Sequence, residues 1–224
     1  MLLLLAGLCL AALSDDLAIA ADAAQAVEVR QAAYGTLSKY EPVNELVTVA
    51  RNANTPTSIR WVAVRALGPH PSDAARDALI GLLEDNDPQV RMAAVGALGD
   101  RKDRTLAGKM AAKLNDKATL VRAAAAAALG TLGDPTVLPD LERALADPSN
   151  YYRGSSLWVR RNFVEAMVAI GGRDAAPYLG RALGDKDPTV AATALAGLEK
   201  IAGFSYKEGR TPEEEREAWR RWAR

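Results

Sequence analysis

Asp85 and Arg91 stand six residues apart in the stretch DNDPQVRMAAVGALGDR, residues 85–101. Seen alone, a carboxylate and a guanidinium at that spacing could serve proton transfer or the binding of a developing anion. The chain writes the pair repeatedly, however. An acidic column runs through Asp85, Asp116, Asp147 and Asp185, and a basic column through Arg60, Arg91, Arg122 and Arg160. A catalytic carboxylate is expected once, in one pocket with perturbed surroundings. A group that returns at a fixed period is structural instead. Each Asp closes one unit and each Arg opens the next, an arrangement suited to a ladder of charge-assisted hydrogen bonds to side chains and loop carbonyls. The last unit carries Ala191 in the arginine column, which predicts a weaker ladder there.

Other reactive chemistry finds little support. His70, the one histidine, sits in GPHPSD and reads as a solvated loop residue. One histidine cannot build a multi-histidine metal centre, and no nucleophile motif accompanies it. There is no Walker loop or dinucleotide fingerprint. Lys+Arg and Asp+Glu are both 28, so the chain lacks the basic excess of a phosphate-tracking protein. We therefore expect no catalytic residue, no metal, no cofactor and no nucleic-acid partner.

The elements that carry these residues follow from periodicity. Taking the apolar–Arg pair as anchor gives Val29-Arg30, Ile59-Arg60, Val90-Arg91, Val121-Arg122 and Val159-Arg160, then Val190-Ala191, at spacings of 30, 31, 31, 38 and 31 residues. Apolar or small residues recur three, four, seven and eight positions after the apolar anchor residue: Val62, Ala63, Ala66 and Leu67, then Ala93, Ala94, Ala97 and Leu98, then Ala124, Ala125, Ala128 and Leu129. That is one helical face. A second stripe follows in register, with Leu79/Leu83, Met110/Leu114, Leu141/Leu145 and Leu179/Leu183. Asp87-Pro88, Asp134-Pro135 and Asp187-Pro188 signal helix starts, with Asp174 a further cap. Gly68, Gly99 and Gly130 suit left-handed helix ends. No stretch alternates like a strand. The expected fold is all-α, an α-solenoid (superhelix) of about five to six two-helix repeats of about 31 residues.

The D-x-D-P-x-V-R-x-x-A-x-x-A-L-G pattern at 85–99 resembles the HEAT repeat, in the short form first recognised in phycobilisome lyases. The resemblance spans roughly residues 28–203 and implies the solenoid and the structural use of the Asp and Arg columns. Such arrays serve many roles. The expected function is a non-enzymatic protein-binding scaffold, acting as a monomer on another protein. The alternative is a bilin lyase-like, chromophore-handling protein. The di-iron HEAT-repeat hydroxylases need several histidines and are excluded.

Function then falls to the places where the repeat breaks. The 38-residue unit holds about seven extra residues around DPSNYYRGSSLW, 147–158, with Tyr151, Tyr152, Arg153 and Trp158 as candidate partner contacts and Arg160 and Arg161 close behind. Insertions in solenoids map to loops on one face, often the binding face, and aromatic–arginine clusters have hot-spot composition. The alternative is a loop whose aromatics fold back on the array. The second helices line the concave face by register, with Lys113, Arg143 and Arg181 as candidate polar contacts.

Residues 204–224 read as a capping helix. Thr211, Pro212 and Glu214 form its start, Arg220, Arg221 and Arg224 complement its end, and Trp219 and Trp222 share a face. Residues 1–20 read as a signal peptide, from the apolar run Leu2–Leu13 and the small-residue site Ala18-Ile19-Ala20, although a basic n-region is missing. Leu8 before Cys9 does not suit a lipoprotein site. The alternative is a buried first helix. Residues 21–203 are the array, and the expected location is periplasmic or extracellular, without membrane insertion after cleavage.

Overall fold

The computed structural model describes residues 2–224, with side chains from residue 12 onward. The side chain of Cys9 and most of the apolar leader therefore lie outside the described residues. The chain forms two compact units, Met1–Arg101 and Lys102–Arg224. Both are stacks of two-helix repeats, and the fold is of the all-α, α-solenoid class.

The first unit holds α1 (Leu2–Ala21), α2 (Val27–Leu37), α3 (Val43–Arg51), α4 (Thr57–Leu67), α5 (Asp73–Leu82) and α6 (Pro88–Asp100). The second holds α7 (Ala107–Ala112), α8 (Thr119–Leu132), α9 (Leu138–Ala146), a hairpin of β1 (Tyr151–Tyr152) and β2 (Ser155–Ser156), α10 (Val159–Ile170), α11 (Gly172–Ala182), α12 (Pro188–Ala202) and α13 (Pro212–Trp222). Short 3-10 turns flank α7 and precede α9 and β1. The anchors open α2, α4, α6, α8, α10 and α12. Val62, Ala63, Ala66 and Leu67 of α4 are buried, as are Ala93, Ala94, Ala97 and Leu98 of α6. The second stripe is buried throughout, Leu79, Leu83, Met110, Leu114, Leu141, Leu145, Leu179 and Leu183 alike.

Three local expectations are corrected. Gly68 has a right-handed backbone, while Gly99 and Gly130 lie inside α6 and α8 rather than ending them. Gly68 and Gly130 are needed for close approach. A Cβ at Gly68 would lie 3.3 Å from Ala97 Cβ, and one at Gly130 would lie 3.1 Å from Ala169 Cβ. The left-handed helix ends are Gly133 (φ 62) and Gly203 (φ 77). Asp174 does not cap α11; it lies in the first turn, and Gly171 occupies the N-cap. Asp134 does cap, but it starts a 3-10 turn at Pro135–Val137 rather than α9 itself.

The Asp and Arg columns form buried rungs. Arg60 Nε donates to Ala50 O at 2.9 Å, and its two terminal nitrogens fork onto the Asp85 carboxylate, Nη1 at 3.2 Å from Oδ1. Arg160 repeats this with Leu145 O at 3.0 Å and Asp185 at 3.1 and 2.5 Å. The carboxylate partner is thus 25 residues ahead of its arginine. The Arg six residues after each Asp takes the Asp carbonyl instead: Arg91 Nη1 to Asp85 O at 2.8 Å and Arg122 Nη1 to Asp116 O at 2.7 Å. Asp85, Asp116 and Asp185 each also accept the backbone N–H two residues on, at 2.8–2.9 Å, which shapes the turn into the next helix.

Asp147 leaves the column. Its Oδ1 accepts from Ser149 N at 2.7 Å, and the buried Asn150 Oδ1 joins the rung instead, receiving Arg122 Nε at 2.9 Å where Arg60 and Arg160 use a helix-end carbonyl. The turn that starts the insertion carries Asp147 away from the rung and brings in a neutral amide. Burial, the largest influence, lowers the Arg122 pKa, with Asp116 and Asp147 opposing.

Helix α1 joins the same scheme, with Leu13, Leu17 and Ala20 buried and Ala20 O accepting from Arg30 Nε at 3.2 Å, as Ala50 O accepts from Arg60. At the other end, Thr211 and Glu214 close a full capping box on α13.

Removing the Asp185 carboxylate strands a fully buried guanidinium, so Asp185→Ala should lower unfolding free energy by about 3 kcal/mol. Asp147→Ala should cost only a cap, about 1 kcal/mol. Urea unfolding of both variants checks the ranking, and equal losses would contradict the assignment of Asn150 to the rung. The helix-capping carboxylates give a second expectation. The Thr57 hydroxyl, foremost, holds Asp87 below the usual carboxylate range, and the Ser156 hydroxyl does the same for Asp187. Folded values below unfolded ones mean stability that is present above the ordinary Asp range, about 4, and is lost as pH falls through the lowered values. The urea midpoint should fall below that range, and Asp187→Asn should lower it at neutral pH while flattening the acid decline.

Candidate functional site

The insertion is tied to the array by hydrogen bonds. Asn150 Nδ2 donates to Ala144 O at 2.9 Å, and Leu157 N donates to Asn150 O at 3.0 Å, so both ends of the hairpin are tied to one buried residue. Tyr151 pairs with Ser156 and Tyr152 with Ser155. Arg153 (φ 50) and Gly154 (φ 80) make the tip, both left-handed, as a tight two-residue hairpin turn requires. Arg153 adopts that conformation without glycine's freedom, at a cost of about 1 kcal/mol.

The hairpin's side chains divide into two sets. Tyr151 covers a rung, its ring centroid 4.3 Å from the Arg160 guanidinium carbon, and Ser156 Oγ accepts from Arg160 Nη1 at 3.1 Å. Those residues fold back on the array. Tyr152 and Trp158 do not; they are 63% and 61% exposed. Arg153 lies over the Tyr152 ring at 5.2 Å. Beside Trp158 opens a cavity of about 560 Å³ lined by Ser156, Arg161, Asn162, Asp187 and Thr189. Asn162 and Thr189 escaped the sequence reading, because nothing in their types marks them; only the insertion's position next to α10 and α12 could have pointed there. Arg161 is ion-paired with Glu165 at 2.8 Å.

The second-helix candidates separate. Lys113 is buried, 8% exposed, and is corrected from a surface contact. It falls in the 3-10 turn after α7, where Leu114 is buried as well. Arg143 is exposed and pairs with Asp140 at 2.6 Å, three residues back on α9. Arg181 of α11 reaches Glu142 of α9, Nη2 at 3.1 Å from Oε2, and lies 4.6 Å over the Tyr178 ring. The Glu142 hydrogen bond, first among its influences, raises the Arg181 pKa.

His70 is also corrected: it is buried at 3% exposure, not solvated. Its Nδ1 accepts from Ser72 N at 3.3 Å, so Nε2 carries the proton toward Glu41 Oε1 at 3.0 Å. Ser72 Oγ lies 3.0 Å from Nδ1 and accepts from Ala75 N as the cap of α5. The trio clips the turn before α3 to the start of α5. Among the described residues no group of three or more His, Cys, Asp or Glu is placed to hold a metal. No described helix is long and apolar enough to cross a membrane.

The C-terminal aromatics pack together. Trp219 is fully buried, stacked on Phe204 at 5.5 Å and edge-on to Tyr206 at 4.8 Å and Trp222 at 5.5 Å.

Comparisons with known proteins agree with this architecture. The HEAT-repeat profile matches residues 43–107 and 98–159, more than half of the chain, and the PBS lyase HEAT-like repeat matches 159–185. A chain of the CpcE–CpcF complex of phycocyanin lyase from Nostoc is similar at 25% identity and TM-score 0.59, over 73% of this chain and 66% of that one. The Escherichia coli protein YibA is similar at 20% identity and TM-score 0.59, over 88% of this chain and 75% of its own. Kap121p shares the fold at 14% identity and TM-score 0.55, over 86% of this chain and 25% of its own. No curated protein sequence matches significantly. The chain belongs to the HEAT-repeat family.

Proposed function

We propose that this chain is a protein-binding scaffold without chemistry of its own, and that the 148–158 insertion is its recognition element. The observation that carries the reading is the division within one hairpin. Tyr151, Ser156 and Asn150 lock the backbone to two buried arginines, while Tyr152 and Trp158 are held out in water. Pre-ordered aromatic anchors lose little entropy on binding, and a cavity adjoins Trp158 to receive a partner side chain. The similarity to one chain of a two-protein complex supports a protein partner. The tagged chain should enrich a partner from its native extract, and a Tyr152→Ala, Trp158→Ala variant with unchanged melting should lose it. Equal recovery by both would sink the insertion as the site.

A second reading, a bilin lyase-like role, is favoured by the lyase-type repeat at 159–185 and the phycocyanin lyase likeness. The chain spans 66% of that lyase chain's length. Mixing the purified protein with bilin tests it: a shifted visible spectrum supports the role, and an unchanged spectrum removes it.

We also propose export, with cleavage after Ala20, on the apolar run of residues 2–13 and the small residues that follow. Cleavage would remove Leu13, Leu17 and the Ala20 carbonyl that accepts from Arg30, beside an existing cavity of about 380 Å³ at Tyr34 and Trp61. The intact mass of the cellular protein decides it: a chain starting at Ala21 supports export, and one retaining α1 overturns it.

A further inference from the structure

Helix α13 packs on α11 at Gly180 and on the turn that follows α11 at Gly184. A Cβ at Gly180 would lie 2.8 Å from Ala223 Cβ, and one at Gly184 would lie 2.9 Å from Arg220 Nη2. At Gly180 the missing side chain lets the two helices come this close, and at Gly184 the Arg220 guanidinium lies over the turn after α11. Between the helices opens a cavity of about 470 Å³, lined by Pro177, Gly180, Arg181, Arg220, Ala223 and Arg224. Every charged side chain in that lining is an arginine.

The three arginines are in different states. Arg181 is fixed by Glu142 and by the Tyr178 ring beneath it. Arg220 and Arg224 are exposed, and no carboxylate of the described residues pairs with them. The carbonyl end of α13 does not account for them. A helix terminus presents roughly half a negative charge, and Arg220, Arg221 and Arg224 gather three guanidinium groups at that one turn. A surplus of positive charge remains around an open cavity. Its neighbourhood holds a further cation–aromatic pair, with Arg173 4.7 Å over the Trp222 ring.

From this charge complementarity we propose that the α11–α13 cavity receives an acidic side chain from an Asp/Glu-rich segment of a protein partner. A carboxylate entering between Arg220 and Arg224 can accept from planar guanidinium forks in bidentate fashion. The cavity holds one or two side chains rather than a continuous strand. The chain as a whole is neutral and lacks the basic excess that tracks a phosphate backbone, so nucleic acid fits poorly. The proposal rests on the scaffold reading for the existence of a protein partner, but it concerns a different surface from the hairpin.

Fluorescence anisotropy of a labelled, short Asp/Glu-rich peptide at low salt tests it on the full chain, with the Asn/Gln peptide of the same length as control. The acidic peptide should bind, the neutral one should not, and added salt should weaken binding. Arg220→Gln with Arg224→Gln should weaken it roughly tenfold or more, and charge reversal to Glu at both sites should abolish it. Both residues are exposed, so melting should not change. The Tyr152→Ala, Trp158→Ala variant should bind the peptide like wild type; failure of the hairpin as a site would leave this result standing. Absence of peptide binding, equal binding by the Gln variant, or an oligonucleotide of equal charge binding as tightly would each overturn the proposal.

Discussion

A buried guanidinium has five N–H donors and no way to shed its charge. Arg60, Arg91, Arg122 and Arg160 are each at most 4% exposed, so the surrounding chain must satisfy them completely. The acceptors come from both sides of each repeat. At Arg60 and Arg160, a carbonyl at the end of the preceding helix takes Nε, and a carboxylate from the following boundary takes the fork. A single helical pair therefore cannot complete its own rung. The D-x-D-P spelling follows from that need. Its first Asp serves the arginine behind it and the turn ahead, while its second Asp and the proline start the next helix.

The sequence made the repeat legible because burial and period are local properties. Small and apolar residues three and four apart write the buried faces directly, and nearly every residue so marked is buried in the structure. Partnership was less legible. Asp85 and Arg91 are near in sequence, yet they meet through a carbonyl, whereas the carboxylate answers an arginine 25 residues earlier. Spacing alone does not say which neighbour in a stack a side chain faces. Glycine was ambiguous for a physical reason too. A left-handed turn and a close helix crossing both demand the absence of Cβ, and Gly68 and Gly130 serve the second demand.

At the candidate site, composition located the exceptional segment but could not divide its labour. Tyr151 and Tyr152 are adjacent and identical, and strand alternation sends one over Arg160 and the other into solvent. Two-residue strands are too short to announce that alternation in sequence. Lys113 and His70 misled because polar types suggest exposure, yet both are buried, His70 held by two well-placed hydrogen bonds. The α11–α13 cavity was hidden for another reason. Its arginines come from α11 and α13 and meet where Gly180 lets those helices touch.

The hairpin enters the array at a boundary that is already clamped. Asn150 holds Arg122 on one side, and Arg160 resumes the ordinary rung on the other, so the extra residues between them do not disturb the repeats that follow. The segment from Tyr152 to Ser155 thus behaves as an interchangeable tip on a fixed socket. Lineages, or protein engineers, can vary what this solenoid displays there while leaving the frame that displays it untouched.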